Sequence, residues 1–283
     1  MVPFKITPAQ QRILNQKFAR QHRIVRKSSK RMEELMLSAA EEIISNWDET
    51  KRYKSPTLEG MEKVSEAFYY DLITEAVRTC KEEGRKTDPR KRLAQGPTGL
   101  PRNLRSLAQI FRNKKYWPKI MKRSKIMTAK LRESYLKKLQ AHFEKLVPQL
   151  LSGEMSPAEA KQKMVKAWQT SRARVETIFR TETTTYFSKT QVAYFESDND
   201  IIGFLFDSVR DVSRTDICRS RHGLVYRPGT KLLAENTPAC HYKCRSHLLP
   251  LADTPENRAM LKDPARDPSK VKVVPLMKGW QPG

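Results

Sequence analysis

Three of the four cysteines and three of the five histidines fall between Cys218 and His247. Thiolate sulfur and imidazole nitrogen are the ligands a borderline-soft metal ion selects, so this window is where metal chemistry would occur. Cys218 and His222 stand four apart and His241 and Cys244 three apart, with 18 residues between the pairs. Two such pairs can close a tetrahedral Cys2His2 zinc site, with Cys240 as a substitute ligand. The second Cys-x-x-Cys knuckle of ordinary fingers and ribbons is missing. A packed, hydrogen-bonded knot without metal therefore accounts for the same residues, and His222-Gly223 can equally be a turn. The pattern requires no cofactor; zinc is the one it would suit.

Asp211, Arg214 and Asp216 lie just upstream of the window. Beside a bound metal they would suit attack of activated water on a phosphodiester, so a metal-dependent nuclease or other nucleic-acid-processing enzyme is the alternative reading. Neither a His-Asn-His run nor paired carboxylates at helical spacing accompany the window, and the favoured reading is non-enzymatic.

Short strands must hold this window. After Asp198-Asn199-Asp200 the hydrophobic period changes from helical to strand-like: Ile201 to Val209, Leu224-Val225-Tyr226 and His247-Leu248-Leu249 are the strand candidates. Upstream the pattern is helical. Thr7-Pro8 reads as a cap and first residue, followed by a stripe from Met32 to Trp47, with a basic, loosely periodic stretch (Arg20 to Arg31) as an exposed helix or a hinge. Ser55-Pro56 opens a second helix whose apolar face carries Met61, Phe68, Leu72 and Cys80, and Gly84 should end it. Cys80 on that face is a core residue. Leu131 to Leu150 form another stripe, disturbed at Pro148, and Ser156-Pro157-Ala158-Glu159 is a strong helix start. A further helix from Val175 to Phe195 contains the polar patch Arg180-Thr181-Glu182-Thr183, where an ion pair is expected. Prolines 255, 264, 268, 275 and 282 predict an extended, partner-ordered tail. The fold class expected is α+β: a mainly helical N-terminal two thirds, a small mixed module with short strands, and the tail. The segments are a helical hairpin-like region for protein contact (1–83), a basic arm and helix (84–150), the Cys/His module (151–252) and the tail (253–283).

Charge is the strongest compositional signal. The chain of 283 residues carries 55 Lys/Arg against 31 Asp/Glu, net +24. Residues 84–145 hold nineteen Lys/Arg and three acids, a net +16, so two thirds of the excess lies in about a fifth of the chain. Such density without compensating acids favours a polyanion over a merely solvated face. The candidate contacts run from Arg85, Lys86, Arg90, Lys91 and Arg92 to Arg112, Lys114, Lys115, Lys119, Lys122, Arg123 and Lys125, with Tyr116 and Trp117 interleaved. Backbone contact with occasional stacking fits that mixture, and nothing in it reads base sequence, so double-stranded DNA would be bound without sequence preference. No run of eighteen apolar residues occurs, so stable membrane insertion is not expected. A membrane-active ejection role for the amphipathic residues 8–47 is a remote third reading, weakened by Glu33, Glu34, Glu41 and Glu42. The N-terminus Met1-Val2-Pro3-Phe4-Lys5 has no apolar stretch like that of a signal peptide, and the cysteine usage suits a reducing compartment.

Taken in order, Arg180-Thr181-Glu182-Thr183, Asp211 with Arg214-Thr215-Asp216-Ile217-Cys218, Gly223-Leu224-Val225-Tyr226, and Pro238 with His241-Tyr242-Lys243-Cys244-Arg245-Ser246 resemble the phage head-morphogenesis family, the minor capsid proteins similar to the F protein of phage Mu. The likeness covers roughly residues 155 to 252, and the last box is its most specific part. Two departures stand out. The Arg-Thr pair lies one residue further from Asp211 than in the family form, and an extra cysteine, Cys240, precedes the box histidine. The resemblance implies a low-copy virion component of a tailed bacteriophage, assembled in the host cytoplasm and placed in the capsid interior or at the portal vertex. Its partners would be the portal protein and other capsid components, and its role procapsid assembly, DNA packaging or DNA delivery. Arg180, Glu182, Asp211, Arg214 and Arg245 would be core or structural polar residues of the module.

Overall fold

A computed structural model describes residues 8–50, 52, 56, 60–87, 117–196, 198–278 and 280. Among these residues four long helices come first: α1 (Pro8–Thr50), α2 (Gly60–Thr87), α3 (Trp117–Leu151) and α4 (Pro157–Phe195). Three short strands follow, β1 (Ile201–Asp207), β2 (Val225–Tyr226) and β3 (His247–Ala252), interleaved with the small helices α5 (Asp216–Arg219) and α6 (Lys231–Asn236). Helix α7 (Pro255–Lys262) and a 3-10 turn (Pro264–Arg266) lead into the C-terminal run. This is the α+β arrangement the hydrophobic periods predict.

The stretch Arg20 to Arg31 is part of the continuous α1, with Ile24, Val25 and Ser28 buried and His22, Arg23, Arg26, Lys27, Lys30 and Arg31 exposed. Elsewhere the helices begin and end where local chemistry allows, with two differences from expectation. Helix α2 starts at Gly60, not at Pro56, and runs through Gly84 to Thr87. One long α4 replaces the two helices expected between 157 and 195, because no glycine or proline interrupts it after Pro157. Pro148 lies inside α3 but only three residues from its end, where the lost N–H frees a single carbonyl. At the start of α4 Ser156 and Glu159 form a reciprocal capping box. The Ser156 N–H donates to Glu159 Oε2 at 2.8 Å, and the Glu159 N–H donates to Ser156 Oγ at 3.3 Å.

The chain divides into two compact units. One comprises Ile24–Tyr70 and Lys114–Phe179. Its helices interlock through buried apolar stripes: Trp47 of α1 meets Phe143 of α3 edge-on with ring centroids 5.4 Å apart, and Phe68 of α2 lies 4.7 Å from Phe179 of α4. Tyr135 Oη donates to the Met36 carbonyl at 3.3 Å, and burial pushes that phenol's pKa well up.

The other unit comprises Met1–Arg23, Asp71–Asn113 and Arg180–Gly283. Its sheet is antiparallel in the order β2-β1-β3, with Leu205 opposite both Val225 and Leu249, and Asp207 opposite His247. Six of the seven β1 residues are buried, so both sheet faces are covered and the strand reads as a nearly unbroken apolar run. Leu205, Val225, Leu249 and Leu251 pack with Leu14 and Phe18 of α1 and with Met260 and Leu261 of α7. Gly203 admits this packing, since a Cβ there would lie 3.1 Å from both Leu261 and Val225. Pro250 is tolerated because β3 is an edge strand. The cations inside this unit are satisfied by specific partners. Lys17 Nζ donates to Gln191 Oε1 at 2.8 Å and sits 4.9 Å from the Phe187 ring centre, while Arg20 bridges Glu75 and Glu82 of α2.

The tail differs from expectation in what holds it. Residues 272–276 have no regular secondary structure, but α7 precedes them and the chain itself supplies partners for the tail. Buried Arg221 donates to the Val274 carbonyl at 2.8 Å, the Val274 N–H donates to Ser220 Oγ at 3.0 Å, and Trp280 Nε1 donates to the Ala239 carbonyl at 3.1 Å.

Replacing the cap with Ser156→Ala removes one half of the box and should cost about 1 kcal/mol of unfolding free energy. Urea denaturation of the full-length chain checks this; an unchanged midpoint would show that the box contributes nothing to the stability of α4.

Candidate functional site

The Cys/His window folds onto the middle of α4, at the patch of hydroxyl residues. Thr181 and Thr184 are three apart, hence on one helix face, and both are buried. Thr181 Oγ1 accepts the Lys243 N–H at 3.1 Å, and Thr184 Oγ1 donates to the Cys244 carbonyl at 2.8 Å. Between them they pin the tight turn His241-Tyr242-Lys243-Cys244, in which the Cys244 N–H returns to the His241 carbonyl at 3.3 Å. Lys243 takes a left-handed backbone there, φ 56°, a conformation that costs a non-glycine residue roughly 1–2 kcal/mol. The turn brings its two end residues to Cys218. That cysteine is placed by α5, whose cap Thr215 accepts the Cys218 N–H at 3.4 Å.

Cys218 Sγ lies 3.1 Å from His241 Nε2 and 3.7 Å from Cys244 Sγ, and the three ligand atoms all fall within 4.8 Å of one another. Cys218 and Cys244 are buried and His241 is half-buried. Among the described residues this is the one group of three such side chains able to share a metal ion. The Cys218 hydrogen bond and then His241 hold the Cys244 thiol well below the usual range, against the opposing effect of burial. The same sulfur–sulfur hydrogen bond and burial push Cys218 up. Burial alone would lower His241, but the bonds to Cys244 and to the Tyr242 carbonyl outweigh it and raise its pKa.

The two remaining candidates lie elsewhere. His222 turns towards the sheet, its Nδ1 3.3 Å from Asp207 Oδ1 and 3.2 Å from the Ser208 N–H, its Nε2 3.0 Å from Arg210. Burial, then the arginines Arg210 and Arg214, depress its pKa despite Asp207. Gly223 beside it has φ 83°, the left-handed turn that starts β2. Cys240 is buried with its Sγ 3.8 Å from the Asn236 carbonyl, and burial pushes its thiol up to about 12. The ligand pairing read from spacing, Cys218 with His222, is thus replaced by Cys218 with His241 and Cys244.

The polar residues of the module also find their places. Asp211 pairs with Arg245 and not with Arg214: the guanidinium grips the carboxylate with two bonds, of 2.5 and 2.7 Å, and holds it below the usual carboxylate range. Arg214 and Arg245 line a cavity of about 20 Å³ that also touches Cys218 and His241. Arg180 is half-buried and Glu182 buried on α4 beside the threonine platform. Of the basic candidates, Lys122 and Lys125 are exposed on α3. Arg85 and Lys86 belong to the last turn of α2, and Lys119 and Arg123 to the first turns of α3. Arg90, Lys91, Arg92, Arg112, Lys114 and Lys115 lie outside the described residues. Sequence reading missed Thr181 and Thr184 as site residues. The signal was the threonine run itself, because threonine is a poor helix former and four in five positions of a buried stretch need a reason.

Residues 123–249 match the family described as Phage Mu protein F like protein. The match begins in α3, about thirty residues before the stretch carrying the motifs, and ends in β3. No curated protein and no solved structure matches the chain.

Thr184→Val keeps the shape of the side chain but leaves the buried Cys244 carbonyl without its donor, which should destabilise the chain by about 1–3 kcal/mol. Thr177, whose hydroxyl donates to the Ala173 carbonyl four residues back on the same helix at 2.6 Å, lies outside the platform, and Thr177→Val should cost less than Thr184→Val. Equal effects of the two in denaturant melts would rule out the platform as a specific support.

Proposed function

We propose that this chain, a Mu F-like phage head-morphogenesis protein, is a minor capsid component at the portal vertex that contacts the packaged DNA. The family match over 123–249 supports its place in head assembly, since that segment contains every cysteine and histidine of the Cys/His module. The observation that carries the DNA contact is the concentration of net +16 in residues 84–145. The exposure of Lys122 and Lys125 on α3 is consistent with it. The module, clasped to α4 and closed by its own tail, would act as the rigid docking unit, and the basic segment as the phosphate contact.

The alternative, a nucleic-acid-processing enzyme, draws support from the cysteine–histidine cluster beside Arg214 and Arg245. It needs a general base, and the nearby acids are engaged: Asp211 with Arg245, and Asp216 with Arg219 at 2.7 Å. A carboxylate held low by a bidentate arginine is a weak base. The structural reading is therefore favoured.

If the basic segment neutralises some six to ten phosphates, affinity for duplex DNA of arbitrary sequence should fall about 10³–10⁵-fold between 50 and 200 mM salt. Changing Arg85, Lys86, Arg90, Lys91 and Arg92 together to Gln should flatten the slope of log K against log salt by about four. Fluorescence anisotropy with two unrelated duplexes reads both, and salt-independent binding would remove the DNA role. Vertex placement is checked separately by electron cryomicroscopy of virions with the chain tagged. Density spread over the whole shell would contradict it.

A further inference from the structure

We propose that Cys218, His241 and Cys244 bind one zinc ion, with the fourth position open to the small cavity lined by Arg214 and Arg245. The first ground is separation. Two thiolates sharing a tetrahedral zinc at ~2.3 Å each stand ~3.8 Å apart; Cys218 Sγ and Cys244 Sγ are 3.7 Å apart. An imidazole nitrogen at its ordinary zinc distance would sit ~3.6 Å from either sulfur. His241 Nε2 is at 3.1 Å from Cys218, so a shift of the half-buried ring by roughly half an ångström admits the ion.

The second ground is the orientation of the ring. His241 Nδ1 lies 2.7 Å from the Tyr242 carbonyl, a group that can only accept. The proton therefore belongs on Nδ1, which leaves Nε2, 3.1 Å from Cys218 Sγ, as the nitrogen available to a metal. This is the arrangement that metal-bound histidines adopt, with the outer nitrogen tied to a carbonyl or carboxylate. The third ground is support around the ligands. The turn bearing His241 and Cys244 is fixed at both the Lys243 N–H and the Cys244 carbonyl by Thr181 and Thr184, in a backbone conformation that lysine does not choose freely.

Binding balances simply. The thiol protons leave to solvent as the metal binds, so two thiolates neutralise the dication inside the buried cluster. Among the described residues no fourth protein ligand is in place. Cys240 faces the Asn236 carbonyl, and His222 is engaged by Asp207, Ser208 and Arg210. The cavity, of about 20 Å³, has room for a single water, which would complete the tetrahedron.

The test uses the full-length chain, expressed with zinc in the medium and purified in a non-chelating reductant, with metal measured by elemental analysis. One zinc per chain is expected. Replacement by cobalt(II) should give the intense near-ultraviolet bands of thiolate ligation. Cys218→Ser and His241→Ala should lower metal content at least about tenfold, while His222→Ala and Cys240→Ser should retain it with an unchanged cobalt spectrum. Should the ligand variants fail to fold, Thr184→Val, which keeps every ligand, still should weaken zinc affinity about tenfold through the lost support. The proposal is overturned by a wild-type chain that takes up neither zinc nor cobalt, by a Cys218–Cys244 disulfide under these conditions, or by metal loss in folded His222→Ala or Cys240→Ser.

Discussion

Two threonine hydroxyls on one face of a long helix hold the irregular part of this protein in place. The sheet of the Cys/His module has three strands, one of them two residues long, so its ladder can satisfy few of the polar groups between residues 208 and 246. Several of those groups are nonetheless buried, and a buried donor or acceptor without a partner costs as much as a lost hydrogen bond. Thr181 and Thr184 answer this for the 241–244 turn, Arg221 for the Ile217 and Val274 carbonyls, and Ser220 for the Val274 N–H. The module is thus organised by side chains reaching backbone, more than by strand pairing.

The same constraint shapes how charge is used. Inside, each cation is matched to particular atoms: Lys17 to an amide oxygen and a ring, Arg221 to an amide oxygen and two carbonyls, Arg20 to two carboxylates. Such pairing is required because an unpaired buried charge is not tolerated. Residues 84–145 follow the opposite rule, with three acids for nineteen basic groups. A segment with so few acids of its own carries charge suited to a polyanion.

The Asp211–Arg245 pair shows how two separated parts of the sequence become one unit. Both are half-exposed, so the bond itself adds little to stability. Its effect is positional: it ties the loop after β1 to the residue following Cys244, on the rim of the cavity beside the cysteine cluster. Arg214, the nearer arginine in sequence, lines the same cavity without taking that partner.

Much of this architecture was legible in the residue order. Pro8 and the Ser156-Pro157-x-Glu159 box mark helix starts because they act on their own neighbours, and the strand-like periods at 201, 225 and 247 mark the sheet because side chains alternate locally. Composition alone located both the Cys/His cluster and the charged segment. What needed the tertiary structure was every choice between residues distant in the chain. Spacing made His222 as good a partner for Cys218 as His241; only the packing of the sheet gave His222 to Asp207 and left His241 beside the two thiols. Likewise Thr181 and Thr184 carry no motif of their own, and their role exists only because a turn sixty residues later folds against them. Periodicity encodes which face a side chain takes on its own element, and not which distant backbone group comes within three ångströms of it.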